Sequence, residues 1–170
     1  MLSKKMQDAL IAQINAEYYS SYLYLSMSAY AEKMNLKGFA HWFRIQSREE
    51  MIHVMKFFDF VINRRGVVEL KGIDAPPTHW DSPLAAFEAT LAHEEHVTSL
   101  IHKLVELAVA EHDHPCHVLL EWFVSEQVEE EAVADQIVQR LKMAGDAPAA
   151  LLMIDAELAA RALAPPSTAT

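Results

Sequence analysis

Residues 43–57 read FRIQSREEMIHVMKF. In alternating steps of three and four, Phe43, Gln46, Glu50, His53 and Phe57 fall on one face of a helix. Aromatic residues at both ends mark this as the face that enters a core, yet a carboxylate and an imidazole interrupt it midway. Glu50 and His53 form Glu-x-x-His at i, i+3. Helix surfaces also produce that spacing by chance, so taken alone it favours a solvated surface pair.

Working outward reverses this reading. The corresponding stripes elsewhere are Leu10, Ile14, Glu17, Ser21, Tyr24, then Phe87, Leu91, Glu94, Thr98, Ile101, and finally Leu120, Phe123, Gln127, Glu130, Ala134, Ile137. Each carries a carboxylate near its middle, and none carries a lysine or arginine. A buried, unpaired carboxylate is very costly, and a bound cation is the cheapest remedy. Glutamates from separate helices with one Glu-x-x-His match the ligand pattern of di-iron carboxylate bundles. Mostly oxygen ligands with one nitrogen suit iron or manganese better than copper, and the lack of thiolates argues against structural zinc.

The punctuation supplies the architecture. With four glycines in 170 residues and apolar steps of three and four throughout, helices dominate and strands are rare. Helices are expected over about 3–33, 36–65, 83–111 and 115–144, with a shorter fifth over about 147–163. Gly66 offers a left-handed cap after Arg64 and Arg65, Ser82 and Pro83 open the third helix, and Gly145 closes the fourth. Pro165 and Pro166 begin a tail expected to fray. Helices of about 30 residues are about 45 Å long, and residues 67–81, extended, span about 50 Å. That segment can cross a whole bundle, giving two antiparallel hairpins joined by one long crossover. The fold expected is therefore all-α: one four-helix-bundle domain over residues 3–144 with a fifth helix attached. Leu151, Leu152, Ile154 and Leu158 of that helix have no place in a four-helix core and are expected to bury against other copies of the chain.

Composition narrows the partners. A net charge of -10 provides no basic stripe for nucleic acid. The lone Cys116 excludes an internal disulfide framework and any Cys-rich metal site. No signal peptide is evident in MLSKKMQDALIAQ and no run is long enough to cross a bilayer, so a cytoplasmic protein without membrane contact is expected.

The segments AEYYSSYLYLSMSAY (16–30), REEMIHVMKFFDF (48–60), AHEEHVTSLIHKL (92–104) and EWFVSEQVEEEAVADQIVQRL (121–141) closely resemble the non-haem bacterial ferritins, and the similarity covers essentially the whole chain. The resemblance implies a ferritin-like bundle and a ferroxidase centre. Glu17, Glu50 and His53 would hold one iron, with Glu50 bridging. Glu94 and Glu130 would hold the second, with Gln127 beside it. Glu49, Glu126 and Glu129, sharing Glu130, match a third iron site. Tyr24 matches a tyrosine that hydrogen-bonds a ligand and donates an electron, and Trp122 matches a nearby packing aromatic. The implied chemistry is oxidation of two Fe(II) by O2, or H2O2, through a peroxo-bridged pair. The product would be stored as a ferric mineral inside a cage of twenty-four subunits. Cys116, His117 and Glu121 fall where related cages line a pore, and Leu120 stands where many animal ferritins have a pore carboxylate.

Three other readings compete. Met51 matches the axial haem ligand of bacterioferritins, but Gln127 with Glu130 replaces their second Glu-x-x-His, which weighs against haem. A DNA-protecting mini-ferritin would lack the fifth helix and carry a basic extension. A non-enzymatic bundle could bind a structural metal or pair its carboxylates with histidines, but His41, His79, His93, His96, His102, His112 and His114 lie off the inward stripes and are expected to be mostly solvated.

Overall fold

Side chains or prolines start every helix but the second. Ser3 accepts a hydrogen bond from the Met6 amide and opens α1, Lys4–Lys33. Asn35, at φ 60°, turns the chain into α2, Lys37–Asn63. Ser82 caps α3, Pro83–Ala110, through the Ala85 amide, with Pro83 in the first turn as expected. Asp113 caps α4, His114–Ala144, through the Cys116 amide. Its carboxylate also receives both arms of Arg64 at 2.9 and 3.1 Å, tying the end of α2 to the start of α4. Gly145, at φ 51°, ends α4 as expected.

The computed structural model describes residues 2–163. Among these there are five helices and no strand, arranged as a four-helix bundle with a short appended α5, Pro148–Leu158. The left-handed turn after α2 is taken by Arg65, at φ 61°, and not by Gly66. What Gly66 provides is room, since a β-carbon there would lie 2.7 Å from Val61 Cγ1. The fifth helix stops five residues before the expected 163, and the tail from Pro165 and Pro166 lies outside the described residues.

The crossover 67–81 runs along α1. The Val67 amide donates to Gln7 at 3.1 Å, Ser26 donates to the Pro77 carbonyl at 2.6 Å, and Trp80 packs edge-on against Tyr30 with centroids 5.3 Å apart. Anchors near both ends of α1 show that the segment traverses the bundle.

The interior divides into two apolar clusters. One holds Met6, Leu10, Ile14, Phe57, Ile101, Leu120 and Phe123, with Phe57 stacked on Phe123 at 4.0 Å. The other holds Tyr24, Met27, Phe39, Phe43, Phe87 and Ile137, with Phe43 stacked on Phe87 at 4.8 Å. Polar side chains fill the layer between them.

The expected burial of the fifth helix against other copies fails too. Ile154 and Leu158 do not wait for another subunit: they are buried in the second cluster, at the end of their own bundle. Leu151 packs partly against it, and only Leu152 is left well exposed. Gly38 makes this seat, since a β-carbon there would lie 1.6 Å from the Asp155 carbonyl oxygen. The Asp155 carboxylate accepts from the Phe39 amide at 3.0 Å, fixing the same contact.

Gly38→Ala should therefore push α5 off α2, costing about 1–3 kcal/mol and lowering the melting temperature by roughly 2–10 °C. Gly72→Ala, with nothing near its β-carbon, should shift it by less than about 2 °C. Thermal melts, with hydrogen exchange over residues 148–158, read both, and equal melting of the two variants contradicts the account.

Candidate metal centre

All inward residues of α1, α2 and α4 that the periodicity selects are buried. On α3 the buried face is rotated slightly, so Thr90 and Val97 are buried where Leu91 and Thr98 are only half so, but Glu94 stays inside. Glu17, Glu50, Glu94 and Glu130 thus meet from four helices, each less than a tenth exposed.

Glu17, Glu50 and His53 each offer a ligand atom, and these atoms lie within 4.8 Å of one another. His53, Glu126 and Glu130 form a second such group. His53 Nδ1 is 3.1 Å from Glu50 Oε2. Neutral amides orient the carboxylates. Gln13 donates to Glu17 Oε1 at 2.8 Å, Gln46 donates to Glu130 at 2.7 Å and to Glu50 at 3.3 Å, and Gln127 donates to Glu94 at 3.2 Å. The Tyr24 hydroxyl donates to the other oxygen of Glu94. Glu17 Oε2 is buried without a partner.

Desolvation dominates the electrostatics. Burial, then the charge of Glu50, pushes Glu17 up to about 8. Burial and Glu94 lift Glu130 to about 7 and hold Glu50 well above the carboxylate range. Glu94 is raised by burial despite its bonds from Tyr24 and Gln127. Burial and Glu94 likewise keep the Tyr24 phenol protonated. Once ionised, the four carboxyls would carry four negative charges, which two divalent cations would neutralise. The orphaned oxygen of Glu17, the mixed oxygen and nitrogen donors and the lack of a basic side chain on these stripes fit such ions.

Of the outer acids, Glu126 is half-buried and raised by burial, Glu129 is exposed, and Glu49 is buried in an ion pair with Arg161. Trp122 packs edge-on against His53 with centroids 5.5 Å apart. Met51 is exposed on α2. Leu120 is fully buried and faces the core, so it is His117 and Glu121, paired at 3.5 Å, that reach the surface there. Cys116 is buried against Met6 Sδ, and burial raises its thiol to about 12, leaving it inert.

Of the histidines, His79, His96, His102, His112 and His114 are exposed as expected. His93 departs from that expectation: it is half-buried, 2.8 Å from Ser20 Oγ, and burial lowers it to about 4. His41 is also half-buried, its Nε2 2.8 Å from the Arg161 carbonyl oxygen. Gln13 was missed by the stripe reading, although it stands one turn before Glu17, where an i, i+4 amide would be sought. Arg161 carried no signal, because its place depends on how α5 folds back.

A ferritin-like domain model matches residues 7–144, and the chain belongs to the ferritin family. It is 47% identical over 161 residues to the bacterial non-heme ferritin of Bacteroides fragilis (strain 638R), covering 95% of this chain and 100% of the relative. It is 35% identical over 161 residues to the bacterial non-heme ferritin of Staphylococcus aureus (strain USA300), covering 95% and 97%. Among solved structures it resembles a closed form of Archaeoglobus fulgidus ferritin engineered by site-directed mutagenesis, with a TM-score of 0.95 and 52% identity over 96% of this chain and 100% of that one. The open pore ferritin of the same archaeon matches with a TM-score of 0.95 and 52% identity, covering 95% and 100%.

A carboxyl raised by burial favours folding below its unfolded value near 4.5, and that contribution is lost as pH climbs toward its folded value. The metal-free protein should lose stability from these groups between pH 5 and 8, whereas Glu17→Gln cannot ionise. The melting temperature of the metal-free Gln variant should rise relative to the parent by at least about 4 °C over that range. A pH-independent difference contradicts the assignment.

Proposed function

We propose that this chain is an iron-storage ferritin subunit whose buried carboxylate layer is a ferroxidase centre. Glu17, Glu50 and His53 hold one Fe(II), Glu50 bridges, and Glu94 and Glu130 hold the other with Gln127 alongside. The observation that carries this reading is the burial of four carboxyls among neutral amides, with no basic side chain on their stripes. The non-heme ferritin names of the relatives support iron as the cation and weigh against haem at Met51.

Iron is the substrate. Ligation displaces the protons that burial holds on the carboxyls, so binding is coupled to proton release. Hard, anionic oxygen ligands favour Fe(III) over Fe(II), so the site promotes electron loss to O2 or H2O2. Tyr24 orients Glu94 through its hydroxyl and stands ready to supply an electron. Glu126 and Glu129, with Glu49 and Glu130, form a third iron site nearby. The chain assembles into a cage of twenty-four copies in the cytoplasm, where the oxidised iron accumulates as mineral.

Stopped-flow oxidation with an oxygen electrode tests the chemistry. The parent should consume O2 in proportion to added Fe(II), and Glu50→Ala, losing the bridging ligand, should fall by at least about a hundredfold toward the uncatalysed rate. Iron uptake without O2 consumption would instead describe a binding bundle, and Glu50→Ala oxidising as fast as the parent would remove the centre. Sedimentation giving a stable monomer or dimer would remove the cage.

A further inference from the structure

Beyond α5 the chain turns back onto α2. His41 Nε2 lies 2.8 Å from the Arg161 carbonyl oxygen, and the Arg161 guanidinium lies over the Trp42 ring, 4.4 Å from its centroid. Its Nη2 donates to Glu49 Oε2. Trp42 and Glu49 are seven residues apart, on one face of α2, so the guanidinium lies along that face toward the carboxylate layer. The pair is largely withdrawn from water, with side chains 20% and 11% exposed. The guanidinium charge also reaches Glu130, where it favours the ionised form.

We propose that Arg161 is a built-in counter-ion that engages Glu49 and sets how readily a third cation enters the outer carboxylate cluster. This rests on the functional reading above, because that cluster is its third iron site. The outer acids Glu49, Glu126 and Glu129 carry three negative charges when ionised, and Arg161 cancels one of them. It also occupies an oxygen that a metal would need. A cation binding Glu49 through that oxygen must first displace the arginine, which leaves a desolvated charge behind and weakens binding. The contact is built to be displaced: Nη1 is buried with no hydrogen-bond partner, so the five-donor fork is incompletely satisfied. The arginine lies beyond α5 and not within any of the long helices, so its side chain can move without unwinding one of them. The inner pair feels this exchange only through the charge that reaches Glu130, since Arg161 bonds to Glu49 and to none of the four inner carboxyls.

Anaerobic calorimetric titration of the assembled, metal-free protein with Fe(II) tests this. The parent should show two tight equivalents per subunit and a weak third. Arg161→Met keeps an apolar stem over Trp42 while removing the charge, and it should tighten the third step on the order of tenfold, far more than either of the first two. Arg161→Ala should do the same, Arg161→Lys should restore weak binding, and adding Glu49→Gln to Arg161→Met should abolish the gain. Hydrogen exchange supplies a second readout: redox-inert Zn(II) beyond two equivalents should speed exchange over residues 159–163 in the parent but not in Glu49→Gln. Two tight equivalents with a third step unchanged in Arg161→Met overturns the proposal and leaves the functional reading standing. A gain in Arg161→Ala alone overturns it too, because release of α5 and not charge would then be the cause. Absence of the two tight equivalents in the parent overturns both.

Discussion

Four carboxyl groups, Glu17, Glu50, Glu94 and Glu130, lie in the interior between two apolar clusters, and the cost of removing them from water governs much else in the structure. Burial is the largest cause of every raised carboxyl among them, and their mutual repulsion adds to it. A protein that selected only for stability would fill this layer with leucine, as it fills the layers above and below. The polar layer persists because it leaves an unmet demand for positive charge at a defined place. The surrounding helices are long enough to seal it at both ends, with Phe57 stacked on Phe123 at one side and Phe43 on Phe87 at the other.

The connections serve that layer as well. The bidentate pair of Arg64 with Asp113 joins the end of α2 to the start of α4, the two helices that contribute Glu50, His53 and Glu130. The crossover is held to α1 by Gln7, Ser26 and Tyr30, which fixes the second hairpin against the first. At the far end, α5 closes over the second cluster through Ile154 and Leu158, and only a glycine at position 38 allows the backbones to approach so closely.

Much of this was legible in the sequence because helical periodicity is a local property. Phe43, Gln46, Glu50, His53 and Phe57 share a face whatever else the chain does, so the four carboxylates could be found before any tertiary contact was known. The same logic located the caps at Ser82 and Gly145. It misjudged Gly66, because close approach to Val61 is a tertiary constraint that mimics a conformational one in sequence. Leu120, which pore alignment and core periodicity assign to opposite sides of α4, is buried as periodicity has it. The seat of α5 and the arrival of Arg161 at Glu49 lie beyond local reasoning altogether. They depend on contacts between residues more than a hundred positions apart.

The choice of partners for the carboxylates explains how the layer stays receptive to metal. Gln13, Gln46 and Gln127 each donate hydrogen bonds that orient a carboxylate, yet none brings charge. An arginine or lysine in any of these places would satisfy the same oxygens more strongly and neutralise them, and a dication would then have to displace a buried cation before binding. Neutral donors stabilise geometry and leave the electrostatic demand intact. The distinction becomes visible at the edge of the layer, where Glu49 is met by a guanidinium instead of an amide. Two neighbouring carboxylates on one helix, Glu49 and Glu50, thus face opposite conditions: one already paired with a resident cation, the other held by an amide and an imidazole among acids. The inner position is thereby left short of positive charge, and the outer one is not.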